Sequence, residues 1–251
     1  MIKDQLMSDM HDETSVVPYH TSPLPIGPWI VFAPHADDET FGMGGSLLLA
    51  RDQGIETHVV IVTDGALGGE GERGAIVTAR AEEARRACQA LGISQLHFMG
   101  QPDRSLQVTE ETTNMVTKLI NLSNAASVFF PTPLEYHPDH RVTANLVWSS
   151  VAQMVGFKGD LYSYEITTQA PINLLIDTTD VAAEKYDVVN LYATQLTQSK
   201  YLALTQAMDT ARTFTLALDR HAAEGYFHFA ARDETLESYL LESTSKFFEK
   251  K

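Results

Sequence analysis

The sequence predicts an α/β fold: an open, mostly parallel sheet with helices on both faces. Three observations carry that expectation. Short runs of β-branched and aromatic residues alternate with longer helical stretches through the first half of the chain, the order that builds parallel βαβ units. The short runs are apolar at successive positions, as in strands covered on both faces. Two of them end in clusters of His and Asp, and open parallel sheets collect ligands beyond the carboxyl ends of their strands.

Trp29-Ile30-Val31-Phe32 is the first expected strand, since all four residues are aromatic or β-branched. Pro18, Pro23, Pro25 and Pro28 make residues 1–28 an extended arm leading into it. A helical stretch follows at 43–53 and stops at Gly54. Thr57-His58-Val59-Val60-Ile61-Val62-Thr63 is the second strand. A glycine-rich loop, 64–74, precedes a helix at 76–91 that Gly92 ends. Residues 95–99 form a third strand, 110–121 a helix, 127–131 a strand and 142–154 a helix. The second half is less regular: strands at 161–166, 173–177 and 225–229, helices at 181–195 and 201–220. There is no internal repeat and no linker, so residues 1–251 read as one domain. It comprises the arm, a motif-bearing core at 29–142 and a substrate-shaping half at 143–251.

The 251 residues are 44% hydrophobic, enough for a substantial core. The net charge of −15 disfavours nonspecific nucleic-acid binding and anionic membranes, both of which select a basic face. It also makes anionic substrates less attractive, although local fields can override the total. The single cysteine, Cys88, excludes an internal disulfide and fits a reducing compartment. It lies in a helical pattern and reads as a buried structural thiol. The N-terminus lacks a signal-peptide pattern, and no run has the length of a membrane span. The expectation is a cytoplasmic protein without membrane insertion or a nucleic-acid partner.

The first cluster is Pro34-His35-Ala36-Asp37-Asp38-Glu39 and the second is Tyr136-His137-Pro138-Asp139-His140. One imidazole and three acids at a strand end repel one another unless a cation or a proton resolves them. A catalytic zinc site takes three protein ligands and keeps one position open. His35 with Asp38 and His137 with His140 share one spacing, so two residues of one pair and one of the other complete a three-ligand set. Asp37, next to a ligand but pointing elsewhere, is placed to take a proton from water. An imidazole beside the ion stabilises an oxyanion or delivers a proton. Asp139 can orient an imidazole through its ring N–H. Together these parts make a metal-assisted hydrolase.

These two motifs resemble the signatures of the LmbE/PIG-L family of zinc-dependent N-deacetylases. The likeness extends through Gly44-Gly45, Thr63-Asp64-Gly65, Arg80 with Glu83, and Asp103 with Leu106. It weakens beyond Val142, where Lys185 and Tyr192 with Gln195 resemble a later family feature. The resemblance implies a Rossmann-like sheet and Zn2+ held by His35, Asp38 and His140, with another divalent ion such as Fe2+ also accepted by such ligands. It implies Asp37 as general base, and His137 as oxyanion stabiliser and proton donor supported by Asp139. Arg80, Asp103 and Glu135 match positions near substrate. The implied substrate is an N-acetylated amino sugar of the GlcNAc type, or a conjugate of it. The chain departs from the family in having Ala36 where Pro is commoner, and in Glu135.

Blander explanations compete at several positions. The first cluster can be read as acids in the first turn of a helix, with one Asp as its cap. The second can be a polar turn capped by Asp139. Gly42-x-Gly44-Gly45 invites a dinucleotide-binding reading, but a diphosphate there would meet Asp37, Asp38 and Glu39. A two-metal phosphoesterase and a noncatalytic relic of the family are the alternative functions. The glycine-rich loop is either a lid or a plain connection. Arg85 and Arg86 read as a solvated helix face, and His11, His20, His58, His97, His221 and His228 as surface or satisfied core residues.

Overall fold

The computed structural model describes residues 21–229 and 236–245; His11, His20 and most of the N-terminal arm fall outside them. The elements in chain order are β1 (Trp29–Ala33), α1 (Asp38–Asp52), β2 (Thr57–Thr63), α2 (Arg73–Leu91), β3 (Gln95–Gln101), α3 (Glu110–Ser123), β4 (Ser127–Pro131), α4 (Pro138–Gln153), β5 (Asp160–Tyr164), β6 (Leu174–Asp177), a 3-10 turn (Thr179–Val181), α5 (Ala182–Val189), α6 (Ala193–Leu196), α7 (Tyr201–Ala211), β7 (Ala223–Phe229) and α8 (Leu236–Ser245).

The strands form one seven-stranded sheet in the order β3-β2-β1-β4-β5-β7-β6. The five strands from β3 to β5 run parallel, and β7 enters antiparallel to both β5 and β6. The sheet is therefore mixed but mostly parallel. Strand order reverses between β1 and β4. Connections leave β1 on one side and β4 on the other, which opens a crevice at the carboxyl ends of those two strands.

β1 shows why the successive-apolar pattern arises. All five of its residues are buried. Trp29, Val31 and Ala33 face a core that includes Met43 and Leu47 of α1 and Ala87 and Leu91 of α2. Ile30 and Phe32 face the opposite core, with Val116 of α3 and Val147 of α4. Each face removes large apolar side chains from water, at roughly 1.5–3 kcal/mol apiece, so no polar alternation survives in the strand.

Several boundaries differ from the sequence expectation. α1 begins at Asp38, not at 43, because its first turn is built from the acidic motif. Gly42, Gly44 and Gly45, weak helix formers, hide that turn in the sequence. α4 starts at Pro138, where proline's missing N–H is no loss. The expected helix at 181–195 is instead the 3-10 turn, α5 and α6, and the expected helix at 201–220 ends at Ala211.

The glycines of α1 permit close packing. A Cβ on Gly42 would lie 2.4 Å from the Glu165 carbonyl oxygen, and one on Gly45 would lie 2.6 Å from Thr178 Cβ. Both contacts are closer than atoms tolerate, so helix and sheet approach only because no side chain intervenes. This packing role accounts for the set without a dinucleotide.

Candidate metal centre and cleft

The β1–α1 connection carries the first motif. Asp37 is the N-cap residue of α1, yet its carboxylate makes no capping hydrogen bond. Its backbone sits at φ 145°, a region costly for any residue but glycine, by roughly 1–3 kcal/mol. Two contacts hold it there: its N–H donates to Glu39 Oε2 at 3.2 Å, and Arg80 Nη2 donates to Asp37 Oδ2 at 3.4 Å. The same Arg80 nitrogen donates to the Ala36 carbonyl at 3.1 Å. The Glu39 carboxylate accepts a further bond from the Tyr192 hydroxyl. The helix-cap explanation thus fails for Asp37, whose carboxylate lines a cleft.

The β4–α4 connection carries the second motif. The cap of α4 is His137, not Asp139: the Asp139 N–H donates to His137 Nδ1 at 3.2 Å. A ring nitrogen that accepts must be unprotonated, so the neutral His137 ring carries its proton on Nε2. Burial, then His35 and His140, lower the His137 pKa to about 4, which keeps the ring neutral.

Three atoms from the two motifs form a nearly equilateral triangle. His35 Nδ1 and Asp38 Oδ2 are 3.2 Å apart, His140 Nε2 and Asp38 Oδ2 are 3.2 Å apart, and His140 Nε2 and His35 Nδ1 are 3.3 Å apart. Three ligands about 2.1 Å from one tetrahedral ion stand about 3.4 Å from one another. The edges fit that requirement. The outer nitrogen of His35 meets a carboxylate, the arrangement that fixes the tautomer of a metal-binding histidine, whereas that of His140 makes no hydrogen bond among the described residues and has the Glu135 carboxylate as its nearest anion. His35 Nε2 lies 3.3 Å from Asp139 Oδ2 and 3.5 Å from Asp103 Oδ1; His140 Nδ1 lies 3.6 Å from Glu135 Oε2.

The electrostatics match a site built for positive charge. Burial opposes protonation of His35 and His140, but the surrounding carboxylates outweigh it. They raise His35 well above its ordinary value and His140 to about 9. Burial disfavours the Asp38 anion, yet His140 and His35 hold its carboxyl far below the usual range. Asp37 behaves oppositely: burial pushes it up to about 8, against the pull of Arg80.

The cleft has a volume of about 550 Å³ and reaches His35, Asp37, Asp38, His137 and His140. Arg80 and Asp103 also line it, although both are buried. Its remaining wall comes from the less regular half of the chain, including Thr167, Gln195 and Tyr201. The glycine-rich loop borders it and is tied down. The Leu67 N–H donates to Asp103 Oδ2 at 2.9 Å, and Gln195 Nε2 donates to the Gly68 carbonyl at 2.8 Å.

Two residues differ from their expected places. Asp139, expected beside His137, turns its carboxylate to His35 and accepts the Arg104 N–H at 2.7 Å. Glu135, expected at the substrate, is 1% exposed. Its carboxylate accepts the N–H groups of Ile166 at 2.9 Å and Thr167 at 3.0 Å, as well as the Thr167 hydroxyl. A carboxylate so engaged beneath His140 is removed from substrate. Glu39, Tyr192 and Gln195 reach the site too, and only the Tyr192-x-x-Gln195 pattern signalled the latter two. The other described histidines stand apart: His58 lies 3.0 Å from Glu56 Oε1 through Nε2 and 3.3 Å from His97 Nε2 through Nδ1, His228 Nε2 lies 3.4 Å from Asp160 Oδ1, and His221 is exposed.

The fold and the site together define an α/β protein with a metal-competent His/Asp centre at the switch point of its sheet. Residues 30–151 match the family model described as PIG-L: GlcNAc-PI de-N-acetylase, so this segment is an LmbE-like PIG-L domain match. A diacetylchitobiose deacetylase of Thermococcus kodakarensis is 32% identical over 114 residues, 43% of this chain and 43% of that protein. The chain thus spans less than half the length of that curated relative. Among solved structures, N,N'-diacetylchitobiose deacetylase from Pyrococcus horikoshii superposes with a TM-score of 0.74 at 22% identity, covering 90% of this chain and 92% of that one. A 4-carboxy-2-hydroxymuconate hydratase from Pseudomonas putida superposes with a TM-score of 0.71 at 21% identity, covering 84% and 99%. At these identities the superpositions show the shared fold, which hosts more than one chemistry.

Proposed function

We propose that this protein is a metal-dependent hydrolase that removes the acetyl group from an N-acetylated amino sugar of the GlcNAc type, or from a conjugate of it. One observation carries the reading: the 3.2–3.3 Å triangle of His35, Asp38 and His140 opens into the cleft that Asp37 also lines. His35, Asp38 and His140 would hold the divalent ion. Two imidazoles and a carboxylate suit zinc and accept Fe2+ as well. When bound, such an ion supplies Lewis acidity, making water ionise near neutral pH and polarising an acyl carbonyl.

The chain's own groups do the rest. Asp37 accepts a proton as the water oxygen bonds to the acyl carbon. A carboxylate raised to about 8 by burial is a base matched to neutral conditions. The His137 Nε2–H donates to the acyl oxygen as negative charge develops on it. Asp37 then returns its proton to the nitrogen as the C–N bond breaks, leaving acetate and a free amine. The neutral His137 ring is a poor proton donor, so Asp37 serves as both base and acid.

The two-metal phosphoesterase alternative meets an obstacle. Besides the triangle, two groups of described side chains lie close enough to hold an ion: His35, His137 and His140, which shares two members with the triangle, and His35, Asp103, His137 and Asp139, which shares one; Asp139 and Asp103 already accept backbone N–H groups. Among the described residues no helix is long and apolar enough to cross a membrane. The lone buried Cys88 supports a cytoplasmic setting.

The test is acetate release from a panel of N-acetylglucosamine conjugates by zinc-loaded wild type and Asp37→Asn. The expected result is acetate from wild type and a loss of ~10²–10⁴-fold in the variant, with bound zinc unchanged. No acetate from any conjugate, with zinc confirmed bound, overturns the reading.

A further inference from the structure

Glu39 is the buried acid that the mechanism above leaves idle. It is 0% exposed and makes no ion pair among the described residues. A carboxylate kept in the interior without a cation is costly unless hydrogen bonds satisfy it. Glu39 accepts three. Its Oε2 takes the Asp37 N–H at 3.2 Å, and its Oε1 takes the Thr40 hydroxyl at 3.0 Å and the Tyr192 hydroxyl.

These bonds make half of a helix-capping arrangement. In the full one, an acid of the first turn accepts the N–H of the cap residue, and the cap side chain accepts an N–H of that turn in return. Asp37 is the cap of α1. Its N–H goes to Glu39, and its carbonyl accepts the N–H groups of Thr40 at 3.0 Å and Phe41 at 2.9 Å. Its carboxylate gives nothing back to the helix and lines the cleft instead. That division of labour goes with the φ of 145°. A residue with a Cβ relaxes from such backbone unless an interaction of similar worth retains it, and a hydrogen bond to a buried carboxylate is of that order.

The brace for Glu39 comes from the less regular half of the chain. Tyr192 is fully buried and its backbone is fixed between α5 and α6. Its N–H donates to the Val189 carbonyl at 3.2 Å, and its own carbonyl accepts the Gln195 and Leu196 N–H groups, both at 3.0 Å. Its ring meets Phe41 of α1 edge-on, with centroids 5.8 Å apart. The hydroxyl is thereby held against Glu39 Oε1, which leaves Oε2 directed at the Asp37 N–H. α6 reaches the other restraint on Asp37 as well. The Thr194 N–H donates to Glu83 Oε1 at 3.0 Å, one turn along α2 from the Arg80 that contacts the Asp37 carboxylate.

Resting on the deacetylase reading above, we propose that Glu39, braced by Tyr192, is a positioning residue for the general base: it retains Asp37 in the backbone conformation that presents its carboxylate to the cleft. Without Glu39, Asp37 returns to extended backbone and caps α1 with its own carboxylate, away from the attacking water.

The test uses zinc-loaded Glu39→Met, Glu39→Gln and Tyr192→Phe beside wild type, each with and without Asp37→Asn. In Glu39→Met kcat is expected to fall ~100-fold, about 2.7 kcal/mol, while KM and zinc affinity stay close to wild type. Glu39→Gln keeps an oxygen for the Asp37 N–H and should recover most of that loss, and Tyr192→Phe should fall between the two. The deciding kinetic readout is non-additivity. Asp37→Asn, expected to cost ~10²–10⁴-fold in wild type, should cost ~10-fold or less in Glu39→Met, where the base is already misplaced. Equal costs in the two backgrounds, or a loss in Glu39→Met that follows zinc affinity, overturns the inference and leaves the deacetylase reading intact. If Glu39→Met does not fold, Tyr192→Phe carries the same cycle. Crystal structures of these variants give a readout that needs no substrate. Asp37 at negative φ with its carboxylate on the first turn of α1 supports the inference, and an unmoved Asp37 overturns it. Absence of acetate from wild type sinks the deacetylase reading, and the crystal structures then decide whether Glu39 positions Asp37.

Discussion

His35 Nε2 lies 3.3 Å from Asp139 Oδ2, so the second sequence motif reaches across the switch point and orients the first motif's imidazole. The two residues are 104 positions apart in sequence. That bond fixes which nitrogen His35 offers inward: Nε2 faces the carboxylate, and Nδ1 completes the triangle with Asp38 and His140. Asp139 is therefore a positioning residue for metal binding as much as a neighbour of His137.

Asp139→Asn is expected to weaken zinc binding by ~10–100-fold, the usual effect of losing an outer carboxylate from a metal-binding histidine. A competing chelator titration measures it. If Asp139 acted on His137 alone, activity at saturating zinc would fall while zinc affinity stayed at the wild-type value.

Glu135→Gln has two expected effects. The amide still accepts the Ile166 and Thr167 N–H groups but no longer offers His140 an anion at 3.6 Å. Zinc affinity should fall while the melting temperature moves by only a few degrees, about 1 kcal/mol at most for an interaction kept in shape but not in charge. Glu135→Ala removes both roles and is expected to lower the melting temperature clearly further.

The position of the site was legible in the sequence, and its internal wiring was not. His35, Asp37, Asp38, His137 and His140 were visible because chemically unusual residues gather at the ends of two apolar runs, and parallel sheets put such ends side by side. Which imidazole a carboxylate faces depends on how α4 leans against β1, and local spacing does not encode that. Hence Asp139 and Glu135 were expected one partner away from where they lie. The bounds of β1, β2 and β4 were legible because burial on both faces leaves an apolar run, as at 59–62; those of β3, β5, β6 and β7, where the apolar runs are broken by polar residues, differ from the expected ones by one to two residues. Helix starts were not legible, because Asp38 and Pro138 begin helices inside motifs whose chemistry draws the eye first.

Gly45→Ala tests the packing role of the helix glycines. At an ordinary helix interior the change gains about 1 kcal/mol. Here the new Cβ meets Thr178 Cβ at 2.6 Å and Glu224 Oε1 at 3.0 Å, an overpacking that costs roughly 1–3 kcal/mol. The clash outweighs the propensity gain, so urea unfolding should show net destabilisation. A stabilised variant would mean that α1 has room to shift.

Cys88 is 4% exposed, and burial, with Glu39 nearby, raises its thiol pKa well above the ordinary value. The thiolate is the reactive form. Native protein at pH 8 is therefore expected to resist an aromatic disulfide reagent, and one thiol per chain should react promptly in guanidinium chloride. Fast labelling of native protein would contradict the buried structural role.

Lys185→Met removes the cation of a fully buried ionic cluster. Lys185 Nζ lies 2.8 Å from Asp209 Oδ1 and 2.8 Å from Glu224 Oε1, and Glu224 accepts the N–H groups of Gly45 and Ser46 at 2.7 and 2.8 Å. The cluster therefore seats α1, whose first turn carries Asp38. Without the lysine two carboxylates share a pocket with no counter-charge, a loss of roughly 3–5 kcal/mol. The pH dependence follows from Asp209. Burial raises its carboxyl above the unfolded value even with Lys185 present, and losing the cation raises it further. A carboxyl raised in the folded state binds more protons there than in the unfolded chain, so its stability deficit grows as pH rises through the unfolded value. The gap between wild type and Lys185→Met, measured by urea unfolding, should thus be larger at pH 8 than at pH 5. A gap independent of pH would mean that water, not the lysine, neutralises this pocket.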